Sequence, residues 1–142
     1  LAINTILTME AIIFEKGLTL SDSIDEEIFV RGNEEQIKQV LLILLDNAIK
    51  YSNANGEVKF SLKKQNNNAY ITVTNQCEGI AENELNKIFD RFYKGDESRS
   101  QQKSSYGLGL SIAESIIKKH SGKITVKNIS GKQVAFTVKL HI

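Results

Sequence analysis

Residues 41–51 read Leu41-Leu-Ile-Leu-Leu-Asp-Asn-Ala-Ile-Lys-Tyr51, an apolar run that two adjacent polar residues interrupt. Asn33 stands upstream where the N-cap of a helix belongs, and Gln36 follows it by three residues. This spacing is typical of a capping box, so the sequence predicts a long apolar helix from about Glu34 to Tyr51. The polar residues inside that helix are the first candidates for chemistry.

Two of those polar residues are suited to binding a metal ion and a phosphate. Asn47 and Lys50 are three residues apart, so they share one face of the predicted helix. An amide oxygen can ligate a hard cation such as Mg²⁺, and an ammonium group one turn away can meet the phosphates that the ion bridges. The ordinary alternative is that Asn47 hydrogen-bonds within a core and that Lys50 is simply solvated.

A glycine-containing turn, Tyr106-Gly-Leu-Gly-Leu110, opens a second helix that is predicted from about Leu108 to His120. Glycines at a helix N-terminus let backbone amides approach an anion closely, and the helix dipole adds to the attraction. By itself the pattern is weak, since many such turns bind nothing. It is neither a Walker A loop, which needs a following Gly-Lys-Ser/Thr, nor a Rossmann fingerprint, which needs a preceding strand and a third glycine.

Two further segments are informative through their order along the chain. Asn75-Gln-Cys-Glu-Gly-Ile80 runs from a strand end into a turn, and Phe89-Asp-Arg-Phe-Tyr93 follows a predicted short helix over residues 82–89. The aromatic residues of the second segment could equally be core. Residues 94–105 are almost wholly polar, so we expect that stretch to be mobile.

The remaining elements complete an α+β pattern. A loosely helical stretch over residues 1–16 should end at Gly17, and alternation predicts a strand over Leu18–Ile24 paired with a second strand over Ile28–Arg31. Two predicted hairpins follow, the first over residues 57–64 and 69–75 with a Gln-Asn-Asn-Asn turn, the second over 123–128 and 133–141 with a turn at Ser130-Gly131. Helices grouped between antiparallel hairpins favour a two-layer sandwich with the helices on one sheet face.

Composition narrows the class of protein. The chain has 142 residues, a net charge of +1 and 41% hydrophobic residues, as an ordinary single globular domain does. Its few arginines do not form a nucleic-acid footprint, and the lone Cys77 excludes an internal disulfide or a multi-cysteine zinc site. No apolar run approaches the roughly 20 residues that span a bilayer. Because the chain starts at Leu1 without a leader pattern, we expect it to be a fragment of a longer protein.

Taken together, the four motifs resemble those of bacterial sensor histidine kinases. Asn47 within Asp46-Asn-Ala-Ile-Lys-Tyr51 resembles the N box, and Asn75–Ile80 resembles the G1 box. Phe89–Tyr93 is similar to the F box, and Gly107–Leu110 is similar to the G2 box. They occur in the family's order and, with the flanking strands, cover nearly the whole chain.

The resemblance implies the ATP-binding catalytic domain of such a kinase. Its fold would be the Bergerat fold, a two-layer α/β sandwich in which a mixed, mostly antiparallel sheet carries helices on one face. DNA gyrase and the heat-shock chaperone ATPases share that fold. ATP would lie between the layers under a lid formed by residues 95–105. The whole of residues 1–142 would be one domain, with 1–16 as a possible connecting helix from an absent dimerisation domain.

The resemblance also assigns roles to individual residues. Asn47 matches the Mg²⁺-ligating asparagine, and Lys50 and Lys94 match basic residues near the phosphates, so these three would carry catalysis. The implied ATP site also contains Tyr51 beside the sugar and base, Asn75, Gly79 and Ile80 at the adenine, Phe92 from the F box, and Tyr106, Gly107, Leu108, Gly109 and Leu110 around the phosphates.

Three departures from the family pattern bear on function. Ile43 stands where many relatives carry the first asparagine of the N box and where hydrolytic members carry a glutamate base, and an Ile cannot deprotonate water. Asn75 replaces the usual aspartate at the adenine, which would make that hydrogen bond neutral and weaker by about 1 kcal/mol. Cys77 and Ser104-Ser105 replace common glycines, which leaves the adenine loop and the lid geometry open.

The predicted function is therefore ATP- and Mg²⁺-dependent transfer of the γ-phosphoryl group to a histidine outside this chain. His120 should be a helix C-terminal residue and His141 an edge-strand residue, so neither is an acceptor. The partners implied are an upstream dimerisation and acceptor domain of the same protein, a homodimeric parent, and a response regulator. The domain would lie in the cytoplasm without touching the membrane that anchors its parent. The alternatives are a non-catalytic nucleotide-binding or interaction module of the same fold and, with less support, a hydrolytic ATPase.

Overall fold

The computed structural model describes residues 2–15, 17–25, 28, 30, 32–52, 56–76, 106–130 and 133–141. Within these ranges the helices are α1 (Ala2–Glu15), α2 (Glu34–Tyr51) and α3 (Tyr106–Lys119). The strands are β1 (Thr19–Ile24), β2 (Glu57–Gln65), β3 (Asn68–Gln76), β4 (Lys123–Ser130) and β5 (Gln133–His141). They form one sheet in the order β1-β2-β3-β5-β4. β1 pairs with β2 in parallel and the other pairings are antiparallel, which confirms the predicted mixed, mostly antiparallel α+β fold.

The sheet has one apolar face and one polar face. Val58, Val73 and Val138 are buried, whereas Lys59 and Lys139, each next to one of them in sequence, are exposed. This alternation is the signature of an antiparallel sheet that packs on a core on one side only. The three helices cover the apolar face: α1 contacts β1, α2 contacts β3 and α3 contacts β4, while α2 also contacts both other helices. The predicted two-layer arrangement is thus confirmed.

α2 is the most deeply buried helix because its apolar residues surround most of its circumference. Leu41, Leu44 and Leu45 are each at most 2% exposed, and they join Leu110 and Ile117 of α3 in one core cluster. The helix begins where the sequence predicts, since the Asn33 Oδ1 accepts a 3.0 Å hydrogen bond from the Gln36 backbone N–H. Burial of this surface, rather than helix propensity, holds α2 in place.

Local turn chemistry also matches the sequence. Asn66 and Asn67 have φ values of 51° and 64°, so the predicted Gln-Asn-Asn-Asn turn is a two-residue hairpin turn with both central residues left-handed. Gly17 follows the end of α1 with a φ of 72°, and bonds run from Gly17 N to Phe14 O and from Leu18 N to Ile13 O. This pair of bonds is the Schellman ending that a glycine at this position favours.

The predicted pairing of residues 18–24 with 28–31 is wrong. All six residues of β1 pair in parallel with β2, from Thr19 opposite Glu57 to Ile24 opposite Leu62, and neither Ile28 nor Val30 lies in a strand. The physical reason is that β2 offers an open edge to β1, while α2 supplies the crossover that a parallel pair requires. Alternation identified the strand, but it could not identify the partner.

The prediction that His141 lies on an edge strand is also wrong, because β5 lies between β3 and β4 in the sheet. Its side chain is nevertheless exposed. The predicted short helix over 82–89, the F box and the lid over 95–105 lie outside the described residues. In the part of the chain that is described, no helix is long and apolar enough to cross a membrane.

Candidate functional site

α2 and α3 lie side by side in opposite directions. At one end, a Cβ atom added to Gly109 would lie 3.5 Å from the Ile43 Cγ2. At the other end, the Asn33 backbone N–H donates a 3.0 Å hydrogen bond to the His120 Nε2. Residue numbers rise along α2 as they fall along α3, so the first turn of α3 lies beside the C-terminal half of α2.

Asn47 is on that C-terminal half, one turn beyond Ile43 and on the same helix face. It is only 6% exposed, and no described residue accepts a hydrogen bond from its buried Nδ2. Leaving such a group unpaired costs about 1–3 kcal/mol, so an unpaired buried amide is expected where a ligand completes the bonding. With Ile43, one turn before it, beside Gly109, the unpaired Asn47 amide is the strongest indication of a binding site in the described chain.

Lys50 lies at the rim of this region with its ammonium group held locally. Its Nζ is 3.0 Å from the Asp46 Oδ2, and the two side chains are 34% and 48% exposed. Asp46 belongs to the motif, but its role as the ion-pair partner of Lys50 was not foreseen. The i, i+4 spacing was the signal that could have revealed it. Tyr51 is the last residue of α2, directly after Lys50.

Asn75 lies near the end of β3, opposite Val58 of β2 and Val134 of β5. It is 4% exposed and shares the core-facing side of the sheet with Val73. The Asn75 side chain therefore lies on the face of β3 against which α2 packs.

The first turn of α3 contains Tyr106, Gly107, Leu108 and Gly109. Their backbone N–H groups have no partner within the helix, which makes this helix end a favourable place for an anion. Leu110 is fully buried in the core, so its side chain anchors the turn and only its backbone could face a ligand. Ile43, one turn before Asn47, thus lies beside Gly109 of the glycine turn.

The other predicted ATP-site residues, Gly79, Ile80, Phe92 and Lys94, lie outside the described residues, as does Cys77. Within the described chain no three residues of the types His, Cys, Asp and Glu cluster as a metal site. Mg²⁺ usually takes one or two protein oxygens and completes its shell with water and substrate phosphates. The Asn47 Oδ1 is an oxygen of the kind that Mg²⁺ takes, whereas the unpaired Nδ2 is a donor that an acceptor such as a phosphate oxygen could satisfy.

Comparison with known proteins identifies the family of the chain. The profile of the histidine kinase-, DNA gyrase B- and HSP90-like ATPases matches residues 32–142. The sensor protein DltS of Streptococcus agalactiae is 38% identical over 121 residues, which cover 85% of this chain. That match spans only 30% of the length of DltS.

Solved structures of histidine kinases share the fold. The nucleotide-free catalytic domain of histidine kinase ThkA has a TM-score of 0.85 at 28% identity, covering 99% of this chain and 89% of that one. ThkA in complex with response regulator protein TrrA has a TM-score of 0.82 at 26% identity, covering 97% of this chain and 38% of that one. The chain belongs to the histidine kinase-, DNA gyrase B- and HSP90-like ATPase family, and within it to the ATP-binding domains of sensor histidine kinases.

Proposed function

We propose that this domain binds ATP with Mg²⁺ and donates the γ-phosphoryl group to a histidine on another domain of its parent protein. The observation that carries the proposal is the buried Asn47 amide, unpaired among the described residues, beside the first turn of α3. A metal–nucleotide complex would complete the bonding of the amide and of the helix end together.

The residues of the chain would act mainly by binding and orienting the nucleotide. Asn47 would hold Mg²⁺, which when bound neutralises phosphate charge. The backbone N–H groups of Tyr106–Gly109 would cradle the phosphates, and Lys50, with Lys94, would add positive charge. Such positioning and charge stabilisation suffice for phosphoryl transfer, in which the protein does little covalent chemistry.

Hydrolysis is disfavoured by the residue beside the glycine turn. Ile43 is half-buried, its Cγ2 lies 3.5 Å from the position that a Cβ atom of residue 109 would take, and its side chain offers no group that could take a proton from water. A histidine acceptor supplies its own nucleophile, so transfer to histidine needs no base at position 43. This supports a kinase over a hydrolytic ATPase.

The acceptor should lie on a different domain. Both ring nitrogens of His120 have partners, the Ile116 carbonyl at 2.8 Å and the Asn33 N–H at 3.0 Å. His141 is on β5 opposite Asn68, at the end of β3 remote from Asn75. We propose an upstream dimerisation domain as the acceptor, a homodimeric parent, and a response regulator as the next recipient, as the ThkA–TrrA complex suggests for a relative. Anchoring of the parent in a membrane, with this domain in the cytoplasm, remains a prediction.

Calorimetric titration with ATP tests the binding step. The native chain should bind ATP more tightly with Mg²⁺ than without it, and Asn47→Ala should lose both affinity and Mg²⁺ dependence. Asn68→Ala is the matched control, because Asn68 lies at the opposite end of β3 from Asn75. Unchanged binding in Asn47→Ala would overturn its assignment, and a native chain that does not bind ATP would favour the non-catalytic interaction module.

Radiolabelled ATP tests the transfer step. The isolated chain should gain almost no label, whereas the acceptor domain of the parent protein, added as a separate chain, should become labelled on histidine. Label on His120 or His141 of the isolated chain would contradict the assignment of the acceptor to another domain.

Nucleotide preference tests Asn75. If its amide oxygen accepts from the adenine amino group, Asn75→Asp should retain or increase ATP affinity, because the hydrogen bond becomes charge-assisted. GTP carries an oxygen at that place and should bind both forms poorly. A native preference for GTP would contradict the adenine contact.

A further inference from the structure

A hydrogen-bonded junction lies at the end of the α2–α3 pair that is remote from Asn47. It consists of Gly32, Asn33 and His120, and is here called the clasp. The Asn33 backbone N–H donates to the His120 Nε2 at 3.0 Å, and the His120 Nδ1 lies 2.8 Å from the Ile116 carbonyl oxygen. A carbonyl only accepts and an N–H only donates, so the neutral ring carries its proton on Nδ1.

Gly32 makes room for the imidazole ring. A Cβ atom at this position would lie 2.5 Å from the His120 Cδ2 and 2.8 Å from its Nε2. Any side chain at position 32 would therefore push the ring away from the Asn33 N–H. The glycine and the histidine form a matched pair although 87 residues separate Asn33 from His120.

The clasp replaces one arm of a local motif. In a capping box, the side chain of Gln36 would reach back to the Asn33 N–H. Here that N–H donates to the His120 Nε2, while the Asn33 Oδ1 still accepts from the Gln36 N–H. A bond that could have been internal to α2 instead ties the start of α2 to the end of α3.

This tie fixes how far α3 lies along α2. At the other end, the Ile43 Cγ2 lies 3.5 Å from the position that a Cβ atom of residue 109 would take, and apolar packing of this kind has no strong directional preference. Of the two hydrogen bonds of His120, the one to the Ile116 carbonyl lies within α3 and orients the ring, and the one from the Asn33 N–H crosses to α2 and is directional. Ile43 follows Asn33 by ten residues and His120 follows Gly109 by eleven, so the two contact points are about 15 Å apart along the helices.

Resting on the proposed function, we infer that His120 is a positioning residue for the nucleotide site. Through the clasp it holds the first turn of α3 in register with Asn47. Shifts between packed helices are typically about 1–2 Å, and a displacement of about 1 Å can disrupt a catalytic arrangement. His120 need not touch the nucleotide to control its binding.

A pair of substitutions separates this role from simple packing. The amide of Gln reaches about as far as the Nε2 of His, so His120→Gln keeps an acceptor for the Asn33 N–H. His120→Asn is too short to reach it. We expect His120→Asn to lose about tenfold in Mg²⁺–ATP affinity, whereas His120→Gln stays within about twofold of the native chain.

A double-mutant cycle tests the matched pair. Gly32→Ala leaves every predicted ligand residue intact and should lower ATP affinity about as much as His120→Asn. The double variant Gly32→Ala/His120→Asn should lose little more than either single variant, because both break the same junction. Additive losses of ATP affinity would overturn the inference that Gly32 and His120 act through the same junction.

A third measurement needs no nucleotide. Long-range ¹H–¹⁵N spectra of the native chain should show His120 protonated on Nδ1 only. The backbone amide resonance of Gly109 and the side-chain amide resonance of Asn47 should shift in His120→Asn but not in His120→Gln. If those resonances stay in place while ATP affinity is unchanged, His120 has only a local structural role. If they shift as expected in a chain that binds no ATP, the clasp holds its register but the proposed function fails and His120 positions no nucleotide site.

Discussion

The asparagines at the two ends of α2, Asn33 and Asn47, differ in how fully they are hydrogen-bonded. At the N-terminal end, Asn33 accepts from Gln36 N and donates its own N–H to His120, so its side chain and its N–H are both bonded. Near the C-terminal end, Asn47 is more deeply buried, yet no described residue accepts from its Nδ2. The hydrogen bonds at the first end stabilise the fold, whereas the unpaired donor at the second end is the group that we propose a ligand satisfies.

This difference accords with a general trade between stability and activity. A buried polar group without a partner weakens the fold, and it persists where function requires it. The complete bonding at the clasp lies on the same helix as the incomplete bonding at Asn47. Substitutions at the two ends should therefore change different properties of the protein.

The largest change in stability is expected for Gly122, which follows α3, and a much smaller one for Gly109, in the first turn of α3. A Cβ atom at Gly122 would lie 2.4 Å from the Lys139 backbone oxygen, which is in a strand and cannot move freely. Gly122→Ala should therefore lower the free energy of unfolding by about 2–3 kcal/mol. Gly109→Ala meets only Ile43 at 3.5 Å and should leave stability unchanged or raise it by up to about 1 kcal/mol.

Urea denaturation of both glycine variants measures this contrast. Equal destabilisation by the two substitutions would show that the two ends of α3 are equally tightly packed.

The two asparagines should separate stability from binding. Asn33→Ala removes the side-chain cap and should cost about 1 kcal/mol of unfolding free energy, while ATP affinity stays, because the clasp uses the backbone N–H. Asn47→Leu removes an unpaired buried amide and should leave stability unchanged or raise it by about 1 kcal/mol. Its ATP affinity should fall more than about tenfold.

Denaturation and calorimetry on the same two variants measure both properties. Strong destabilisation by Asn47→Leu would mean that the native Asn47 amide is hydrogen-bonded within the folded chain and is not left free for a ligand.

A smaller gain is expected at the end of α3. Ser121 has a φ of 59°, and the bonds Ser121 N to Lys118 O and Gly122 N to Ile117 O form a Schellman ending. Glycine adopts this left-handed conformation without steric cost, so Ser121→Gly should raise the unfolding free energy by about 0.5–1 kcal/mol. A thermal melt checks the shift, and a loss of stability would show that the serine side chain contributes more than the strain costs.

The smallest effect is expected for the ion pair at the rim. Asp46→Asn removes one partner of Lys50 and should change stability by less than about 0.5 kcal/mol, because both side chains are substantially exposed. ATP affinity should stay the same or increase, since the ammonium group is no longer shared with a carboxylate. A clear loss of affinity would show that Asp46 orients Lys50 toward the nucleotide.

Much of the fold follows from short-range patterns. Alternation over residues 57–64 and 69–75, the two turn asparagines and the apolar run of α2 each dictate a local structure because neighbouring residues interact first. The site was predicted in the same way: Asn47 and the glycine turn were recognisable as motifs, and Ile43, one turn before Asn47, lies beside Gly109. The predictions for Gly79, Ile80, Phe92 and Lys94 stay predictions.

What the tertiary structure decided was which groups become partners. The sequence marked β1 as a strand, but its pairing with β2 depended on an open edge and on the crossover through α2. It marked Asn33 as a cap, but the acceptor for the Asn33 N–H came from His120, far along the chain. Local patterns determine conformation, whereas the choice among several competent hydrogen-bond partners depends on which one the packed core brings within reach.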